Sequence, residues 1–260
     1  ERFSEIRTGS PGEPHRQRML VIAHRLQATR SGRAEHSYSN PDELITDLRV
    51  VQDSLAQAGA RRAAYGELQH VIWYAQTFGF HLAELEVRQH SDVHKAALED
   101  LLAHVPGAPA GAAEDAAFLD TLARNGWPDQ VVATQDRTRE VLDTLRVMSW
   151  LQQRWGDRAC GRYVVSFSHS SANLVAVRAL ARLAVGSAPL RLDVVPLFET
   201  GADLAAADTL LADWMTLDST REWLDASGRE VEVMLGYSDS AKDVGPTAAT
   251  LTLARAQSAM

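Results

Sequence analysis

The sequence predicts an α/β protein whose strands run parallel. Four short apolar segments are each followed by a stretch with helical spacing, which is the order of consecutive βα units. The three later segments are separated by about 30–40 residues, a usual length for one such unit. The first third of the chain carries helical periodicity alone, so we predict that it is all-helical.

The helical N-terminal part covers residues 1–79 and is expected to pack on the strand-containing remainder. Residues 1–13 are polar and contain Gly and Pro, so we interpret them as a loop or an entry linker. Predicted helices then occupy about 13–30, 41–59 and 61–78. The Asn-Pro-Asp-Glu segment at 40–43 indicates a helix start, because it offers a capping Asn, a Pro at the first helical position and a Glu three residues on.

Residues 80–260 are interpreted as a partial βα barrel. The predicted strands are 80–88, 162–168, 190–198 and 231–236. Predicted helices occupy about 92–104, 115–125, 136–156, 172–184, a segment after Glu199, and 247–256, and a polar run at 236–245 precedes the last of them. Eight strands close a (β/α)8 barrel, so four units predict an incomplete TIM-type barrel with exposed sheet edges. We therefore expect the chain to be cut at both ends.

The composition is that of an ordinary globular protein, with 45% hydrophobic and 23% charged residues. The net charge of −8 argues against a nucleic-acid or anionic-membrane surface. Cys160 is the single cysteine, which excludes an intrachain disulfide framework and fits a reducing, cytoplasmic setting. No apolar run approaches the roughly 20 residues of a membrane span. The charged start is not a signal peptide, and its lack of an initiator Met indicates a portion of a longer protein.

Polar residues follow the predicted strands at the edge where parallel α/β proteins bind ligands. They are Arg88, Ser168, His169, Glu199, Asp239 and Lys242. Two carboxylates suit a hard divalent cation, and cationic groups suit an anionic substrate. Structural roles are equally compatible with the residue types: the acids as helix caps, Arg88 in a surface salt bridge, and His169 as a packing residue.

His90 and His94 are spaced like a zinc-binding pair on a helix, but the glutamate that completes such a motif is missing. We interpret them as ordinary polar positions at a strand–helix turn. Cys160 has no base near it in sequence and is assigned no chemistry.

Three long segments carry a more specific pattern: FGFHLAELEVRQHSDVH at 78–94, VVPLFET at 194–200 and MLGYSDSAKD at 234–243. In order and spacing they resemble phosphoenolpyruvate carboxylase of the bacterial type. The segments EPHR to ATR at 13–30 and YSNPDEL at 38–44 are similar to the helices that precede them in that family. The resemblance covers nearly the whole chain and corresponds to the central portion of a much longer enzyme.

The resemblance implies carboxylation of phosphoenolpyruvate by bicarbonate to oxaloacetate and phosphate, an anaplerotic reaction that feeds the tricarboxylic acid cycle. Glu199 and Asp239 match the family's ligands for Mg²⁺ or Mn²⁺. Arg88 and Lys242 match residues that bind substrate and take part in catalysis. Bicarbonate would attack phosphorus to give carboxyphosphate and a metal-bound enolate, which then captures CO₂. A cytoplasmic homotetramer is expected of the full-length parent.

A second hypothesis is that the chain is a catalytically inactive fragment or truncated paralogue that acts as a scaffold or interaction module. Residues 1–260 lack the family's Thr-Ala-His-Pro-Thr motif and its Gly- and Arg-rich phosphate loop, which favours this hypothesis for the chain in isolation. Asn173 also stands where relatives usually carry Asp, which removes a charge. We therefore expect the chain alone to be inactive as a carboxylase.

Overall fold

A computed structural model describes residues 2–260, without the side chains at positions 2, 3 and 7. The chain divides into two compact units. The first joins Glu1–Glu84 to Arg154–Ala159, and the second joins Leu85–Gln153 to Cys160–Met260. The sequence-based boundary at residue 79 and the packing of the helical part on the barrel stay predictions.

The first unit is helical through most of its described length. Its helices are α1 (Arg2–Gly9), α2 (Pro14–Arg30), α3 (Pro41–Gln57), α4 (Arg61–Ala64) and α5 (Glu67–Phe78). The predicted start of α3 is confirmed, because the Asn40 side chain accepts a hydrogen bond from the Glu43 backbone N–H at 3.1 Å. Ile22, Leu48 and Ile72 are among the buried residues that form the core of this unit.

Two expectations for this unit are wrong. The loop expected over residues 1–13 is helical where α1 lies, and the buried Ile6 anchors it. The single helix expected over 61–78 is two helices, because the chain turns sharply at Gly66. A Cβ at Gly66 would lie 2.7 Å from the Arg62 carbonyl oxygen, so the turn requires glycine.

The second unit contains a parallel sheet whose strands are neighbours in chain order. The strands are β1 (Leu85–His90), β2 (Cys160–Ser166), β3 (Asp193–Phe198) and β4 (Met234–Leu235). The helices are α6 (Ser91–Leu102), α7 (Ala116–Asn125), α8 (Asp136–Trp155), α9 (Ser171–Val185), α10 (Gly201–Thr216), α11 (Asp218–Ala226), α12 (Tyr237–Val244) and α13 (Pro246–Ala259). Parallel strands in sequential order, separated by helices, fit an arc of a (β/α) barrel. Closure into an eight-stranded TIM-type barrel stays a prediction.

The first and last strands differ from the sequence-based expectation. The strand expected at 80–88 begins at Leu85, because Leu82 adopts a positive φ of 67° within a turn. The strand expected at 231–236 shortens to Met234–Leu235. Pro196 in β3 has no N–H to donate, and the ladder between β3 and β4 begins one residue later, at Leu197.

The polar run at 236–245, for which no helix is predicted from the sequence, contains α12. Asp239 lies in the first turn of this helix and Lys242 in its last turn, which places each charge at the favourable end of the helix dipole. Gly245, with a φ of 85°, ends the helix.

The sheet has two apolar faces of different character. Tyr163, Val165 and Phe198 belong to the large core that includes residues of α9 and α10. Val164 and Leu197 belong to a small separate cluster. Within the residues described here, none of the helices combines the length and the apolar character needed to cross a bilayer.

Candidate functional site

The side-chain alternation of the strands places Arg88 and Glu199 on the same face of the sheet. Arg88 pairs in register with Val164, and Val164 pairs in turn with Val195. Side chains two residues apart point to one face, so Glu199, immediately after β3, continues the face of Val195 and Leu197. This is the face of the small apolar cluster, opposite the large helical core.

Glu199 is a buried carboxylate whose two oxygens differ, because one accepts a hydrogen bond from a side chain and the other does not. Its side chain is 7% exposed, and its Oε2 accepts a hydrogen bond from Arg88 Nη2 at 3.1 Å. Its Oε1 is buried and has no hydrogen-bond partner among the described residues. A buried carboxylate oxygen without a donor is unfavourable, so it indicates a place where a cation or a donor from a ligand can bind.

Gly236 brings the end of β4 against Glu199. Its backbone N–H donates to the Phe198 carbonyl oxygen at 2.9 Å. A Cβ at Gly236 would lie 2.7 Å from Glu199 Cβ and 3.1 Å from Glu199 Cα, so no larger residue fits without displacement. Because Gly236 has no side chain, the start of α12 can lie close to the buried carboxylate of Glu199.

Asp239 and Lys242 form the second charged pair. Lys242 Nζ lies 3.0 Å from Asp239 Oδ1, three residues apart on α12. The Asp239 side chain is 54% exposed and that of Lys242 is 75% exposed. An exposed i, i+3 pair contributes little to stability, so both groups are available for binding at little structural cost.

The structure pairs Arg88 with Glu199 and Lys242 with Asp239. Within residues 2–260, no hydrogen bond or salt bridge joins one pair to the other. Gly236 is the connection, because it contacts Glu199 and precedes α12, whose third residue is Asp239. The binding of one ion by both carboxylates stays a prediction.

The residues present fit a divalent cation whose remaining coordination positions are filled by water and a ligand. No cluster of three or more His, Cys, Asp or Glu side chains suited to a metal occurs in the described part of the chain. Mg²⁺ commonly binds through one or two carboxylates plus waters and substrate oxygens, rather than in an all-protein cage. The unpartnered Oε1 of Glu199 is the atom that meets this requirement.

A helix-capping role was one alternative for Glu199 and Asp239, and the structure shows such a contact for Asp243. Asp243 Oδ2 accepts a hydrogen bond from the Gly201 N–H, at the first residue of α10, at 2.9 Å. A Cβ at Gly201 would lie 2.7 Å from Val244 Cγ1, so a larger residue there would displace the Val244 side chain. Asp243 therefore links the end of α12 to the segment just after Glu199.

His169 has a partner that sequence reasoning missed. Its Nδ1 lies 2.9 Å from Oδ1 of the buried Asp203, whose Oδ2 accepts from the Thr200 N–H at 3.1 Å. Thr200 and Asp203 form a capping box at the start of α10. The histidine contact spans 34 residues, so no local signal reveals it.

Asn173 caps the start of α9. Its Oδ1 accepts hydrogen bonds from the N–H groups of His169 at 3.0 Å and Ser170 at 3.1 Å. An amide oxygen can accept both bonds as a carboxylate would. The departure from Asp at this position therefore removes a charge and keeps the cap.

His90 and His94 do not act as a metal-binding pair. His90 precedes α6, where its Nδ1 accepts from the Asp92 N–H, and its ring stacks on Phe167 with centroids 4.3 Å apart. His94 is fully buried, with Nε2 2.8 Å from the Tyr163 hydroxyl. Burial lowers the pKa of His94 to about 4, so the ring is neutral. The expectation of an ordinary polar position is wrong for His94.

Comparison with known proteins gives a consistent result along the chain. A family model for phosphoenolpyruvate carboxylase matches residues 2–260. The chain is 37% identical to a phosphoenolpyruvate carboxylase from Xanthomonas euvesicatoria pv. vesicatoria (strain 85-10) over 248 residues. It is 34% identical to one from Roseiflexus castenholzii (strain DSM 13941 / HLO8) over 275 residues.

These alignments cover most of this chain and a small part of each relative. They include 94% of the chain and 27% of the Xanthomonas protein, and 95% of the chain and 29% of the Roseiflexus protein. The chain thus spans little more than a quarter of the length of these curated relatives.

Proposed function

Because the chain belongs to the phosphoenolpyruvate carboxylase family, we propose that it is the central part of an enzyme that carboxylates phosphoenolpyruvate with bicarbonate. The products are oxaloacetate and inorganic phosphate. In this reaction a bicarbonate oxygen attacks phosphorus and the bond between phosphorus and the enol oxygen breaks. The resulting carboxyphosphate releases CO₂ and phosphate, and the enolate carbon then bonds to CO₂.

The observation that carries the proposal is the buried Glu199 carboxylate with its unpartnered Oε1. Arg88 and the close approach of Gly236 hold this residue at the carboxyl end of β3. The protein therefore keeps an acceptor oxygen unoccupied at the edge where parallel α/β sheets bind their ligands.

Glu199 and Asp239 would hold Mg²⁺ or Mn²⁺, which supplies charge stabilisation for the developing enolate oxygen when it is bound. Arg88 presents a planar fork of donors that suits a phosphate or carboxylate group of the substrate. Its side chain is 51% exposed and gives one hydrogen bond to Glu199, so further donors can reach a ligand. Lys242, mostly exposed, supplies a second positive charge for bicarbonate or phosphate.

The remaining elements of the proposal concern the full-length protein that carries this chain. We propose that it works as a cytoplasmic homotetramer, in line with the family resemblance. The groups that handle the bicarbonate proton, and further phosphate-binding arginines, would come from outside residues 1–260. The chain expressed alone should then form no oxaloacetate, because catalytic groups that act as a unit fail together.

The test is a coupled assay for oxaloacetate in the full-length protein, with Asp239→Asn as the variant. We expect the Mn²⁺ concentration for half-activation to rise by about tenfold or more, with turnover reduced in parallel. Asp213→Asn is the matched control, because Asp213 is an exposed aspartate on α10.

An unchanged Mn²⁺ dependence in Asp239→Asn would remove Asp239 from the metal site. The absence of bicarbonate-dependent oxaloacetate formation by the unaltered full-length protein would favour the scaffold hypothesis instead. Turnover by residues 1–260 alone, at the rate of the full-length protein, would show that the groups assigned to other parts are dispensable.

A further inference from the structure

A cavity lies at the opposite end of the strands from Glu199. Its volume is about 350 Å³, and it is formed where α7 and α9 end and α11 begins. The lining includes Arg124, Arg178, Arg182, Leu192, Ser219 and Trp223. Leu192 precedes β3 and Glu199 follows it, so the six residues of β3 separate the two places by roughly 20 Å. The cavity is therefore distinct from the proposed active site.

Arg178 is the unusual residue of this cavity. Its guanidinium lies over the Trp223 ring, 4.5 Å from the centroid, and its Nη2 donates to the Leu192 carbonyl oxygen at 3.2 Å. Its Nε is buried without a hydrogen-bond partner, and in the part of the chain that the structure describes it forms no salt bridge. The nearby Asp193 is held by Arg191, with Nε and Oδ2 3.0 Å apart.

Arg178 carries its charge at neutral pH in spite of this environment. Burial lowers its pKa to about 10, and the charge of Asp193 opposes that effect. A partly buried guanidinium that contacts no carboxylate is unfavourable in a folded protein. An anion that enters the cavity would remove this cost.

The other charges of the cavity leave an excess of positive charge. Arg124 donates to Asp218 at 2.9 Å and to Glu222 at 3.0 Å, so the acidic side chains at this end of α11 are already paired. Arg182 gives one hydrogen bond, to the Gly186 carbonyl oxygen at 2.9 Å. The cavity therefore presents Arg178 and Arg182 without carboxylate partners among the described residues.

Ser219 adds an unused hydroxyl to the same cavity. Its Oγ is buried and has no hydrogen-bond partner in the part of the chain that the structure describes, although its backbone N–H donates to Asp120 at 2.9 Å. Buried hydroxyl groups in folded proteins are nearly always paired. Arg178 and Ser219 both line the cavity and each carries a polar group without a partner, which points to a shared ligand.

We propose that this cavity binds a small organic anion whose phosphate or carboxylate group contacts Arg178 and Ser219. Arg182 supplies additional positive charge. The apolar part of the ligand packs against Trp223 and Leu192, which line the same space. The site is separate from the carboxylation reaction and is independent of the metal-binding residues.

Calorimetric titration of the full-length protein tests the proposal, without phosphoenolpyruvate, bicarbonate or metal in the buffer. The probes are phenyl phosphate, benzoate and the neutral benzyl alcohol. We expect saturable binding of phenyl phosphate or benzoate and none of benzyl alcohol. The two anions distinguish a phosphate ligand from a carboxylate ligand.

Two variants separate binding from structure. Ser219→Ala removes a hydroxyl that has no partner among the residues of the structure, so the melting temperature should not fall while affinity for the anion falls about tenfold. Arg178→Lys keeps a positive charge and loses the planar group and its Nε, so binding should weaken at least as much. Arg139→Gln, on α8 and away from the cavity, should bind as the unaltered protein does. Arg88→Lys should also leave binding unchanged, because it alters only the proposed active site.

Lack of saturable binding by either anion would overturn the proposal. Unchanged affinity in both Ser219→Ala and Arg178→Lys would do the same, because it would assign Arg178 a purely structural role over Trp223. Loss of binding in Arg88→Lys alone would place the anion at the active site. None of these readouts depends on turnover, so the proposed carboxylase activity stands or falls separately.

Discussion

Two buried carboxylates, Asp100 on α6 and Glu199 after β3, are surrounded in opposite ways. Asp100 Oδ2 accepts from the backbone N–H groups of Thr134 at 3.1 Å and Gln135 at 3.2 Å, and its Oδ1 accepts from the Thr134 hydroxyl. Glu199 has one hydrogen bond, from Arg88, and one oxygen without a partner. Their exposed fractions are nearly equal, 6% and 5%, so burial does not account for the difference.

The difference separates a carboxylate that stabilises the fold from one kept available for a ligand. Donors on both oxygens stabilise the charged form, and Asp100 in this way fixes the segment that leads into α8. An oxygen without a donor makes burial of Glu199 costly, and a protein tolerates such a cost at a functional site. The expected consequences for stability and activity are therefore opposite at the two residues.

The largest effect is expected for Glu199→Gln in the full-length protein. The amide keeps the shape and loses the charge, so we expect turnover to fall by roughly 100-fold or more. Stability should change by less than about 1 kcal/mol, because the single partner, Arg88, is half exposed and can be hydrated. The measurements are the oxaloacetate assay and a denaturant titration. A folded variant with normal turnover would contradict the metal-binding assignment.

Asp100→Asn should show the reverse behaviour. The amide NH₂ must face groups that are themselves donors, which should lower the free energy of unfolding by about 1–3 kcal/mol. Turnover of the folded variant should stay unchanged, since Asp100 lies on α6, away from the strand ends. A loss of activity without a loss of stability would contradict the purely structural role of Asp100.

The unaltered protein and the Asp100→Asn variant should also differ in how their stability depends on acidic pH. Burial tends to raise the pKa of Asp100, but hydrogen bonds from Thr134, Thr138 and the Gln135 N–H outweigh it and hold the pKa at about 2, below the ordinary 3.8. Because the folded pKa is the lower one, the stabilisation is complete above about pH 4 and is lost as the pH falls towards 2. Asp100→Asn should lack this part of the acid dependence in an unfolding series from pH 5 to pH 2.

Gly236→Ala tests whether packing fixes Glu199 in place. The added methyl group would lie 2.7 Å from Glu199 Cβ, so we expect a loss of about 1–3 kcal/mol in stability together with reduced turnover. Gly9→Ala is the matched control, since no atom of the described residues lies within 4 Å of a Cβ there. Equal stability of the two variants would show that the approach of α12 to Glu199 is not close in solution.

Arg88→Lys changes the single partner of Glu199. It keeps the positive charge but loses the fork of donors that can serve Glu199 and a substrate anion together. We expect turnover to fall by about tenfold, with little change in stability because Arg88 is half exposed. Wild-type kinetics in this variant would show that any positive charge suffices at this position.

The helices and the strand order of the second unit are largely readable from sequence, because long amphipathic segments carry a strong periodic signal. The strand predictions fail where apolar residues pack or alternate in the sequence but their backbone groups do not pair in the sheet. Val231 and Val233 are partly buried and pack against the large core, yet they precede the two residues that form β4. Leu82 completes an alternating pattern but is exposed in a turn with a positive φ. Periodicity reports apolar spacing and says nothing about which backbone groups pair.

The candidate site shows a similar limit. Family resemblance and strand-end position single out Glu199 and Arg88, and alternation along the strands explains why they meet. The unpartnered Oε1 of Glu199 cannot be read from sequence, because it depends on which donors fail to reach it. The contact between His169 and Asp203 has the same character, since it joins residues from two different βα units.

Asn173→Asp is expected to have the smallest effect. The amide oxygen of Asn173 already accepts two backbone N–H groups, so the introduced carboxylate would find its donors in place, as Asp100 does. A negative charge at the start of α9 should then raise the free energy of unfolding by about 0.3–1 kcal/mol at neutral pH.

The donors should lower the pKa of the introduced carboxyl below its unfolded value. The gain should therefore be present above about pH 4 and disappear as the pH falls below that, because the protonated acid no longer interacts with the helix dipole. Urea unfolding of both forms at pH 7 and pH 3 measures it. A variant that is less stable at pH 7 would mean that repulsion from Asp203, which shares His169 as a neighbour, outweighs the helix dipole. In that case the amide at 173 is the better residue for this sequence, and the missing charge needs no functional explanation.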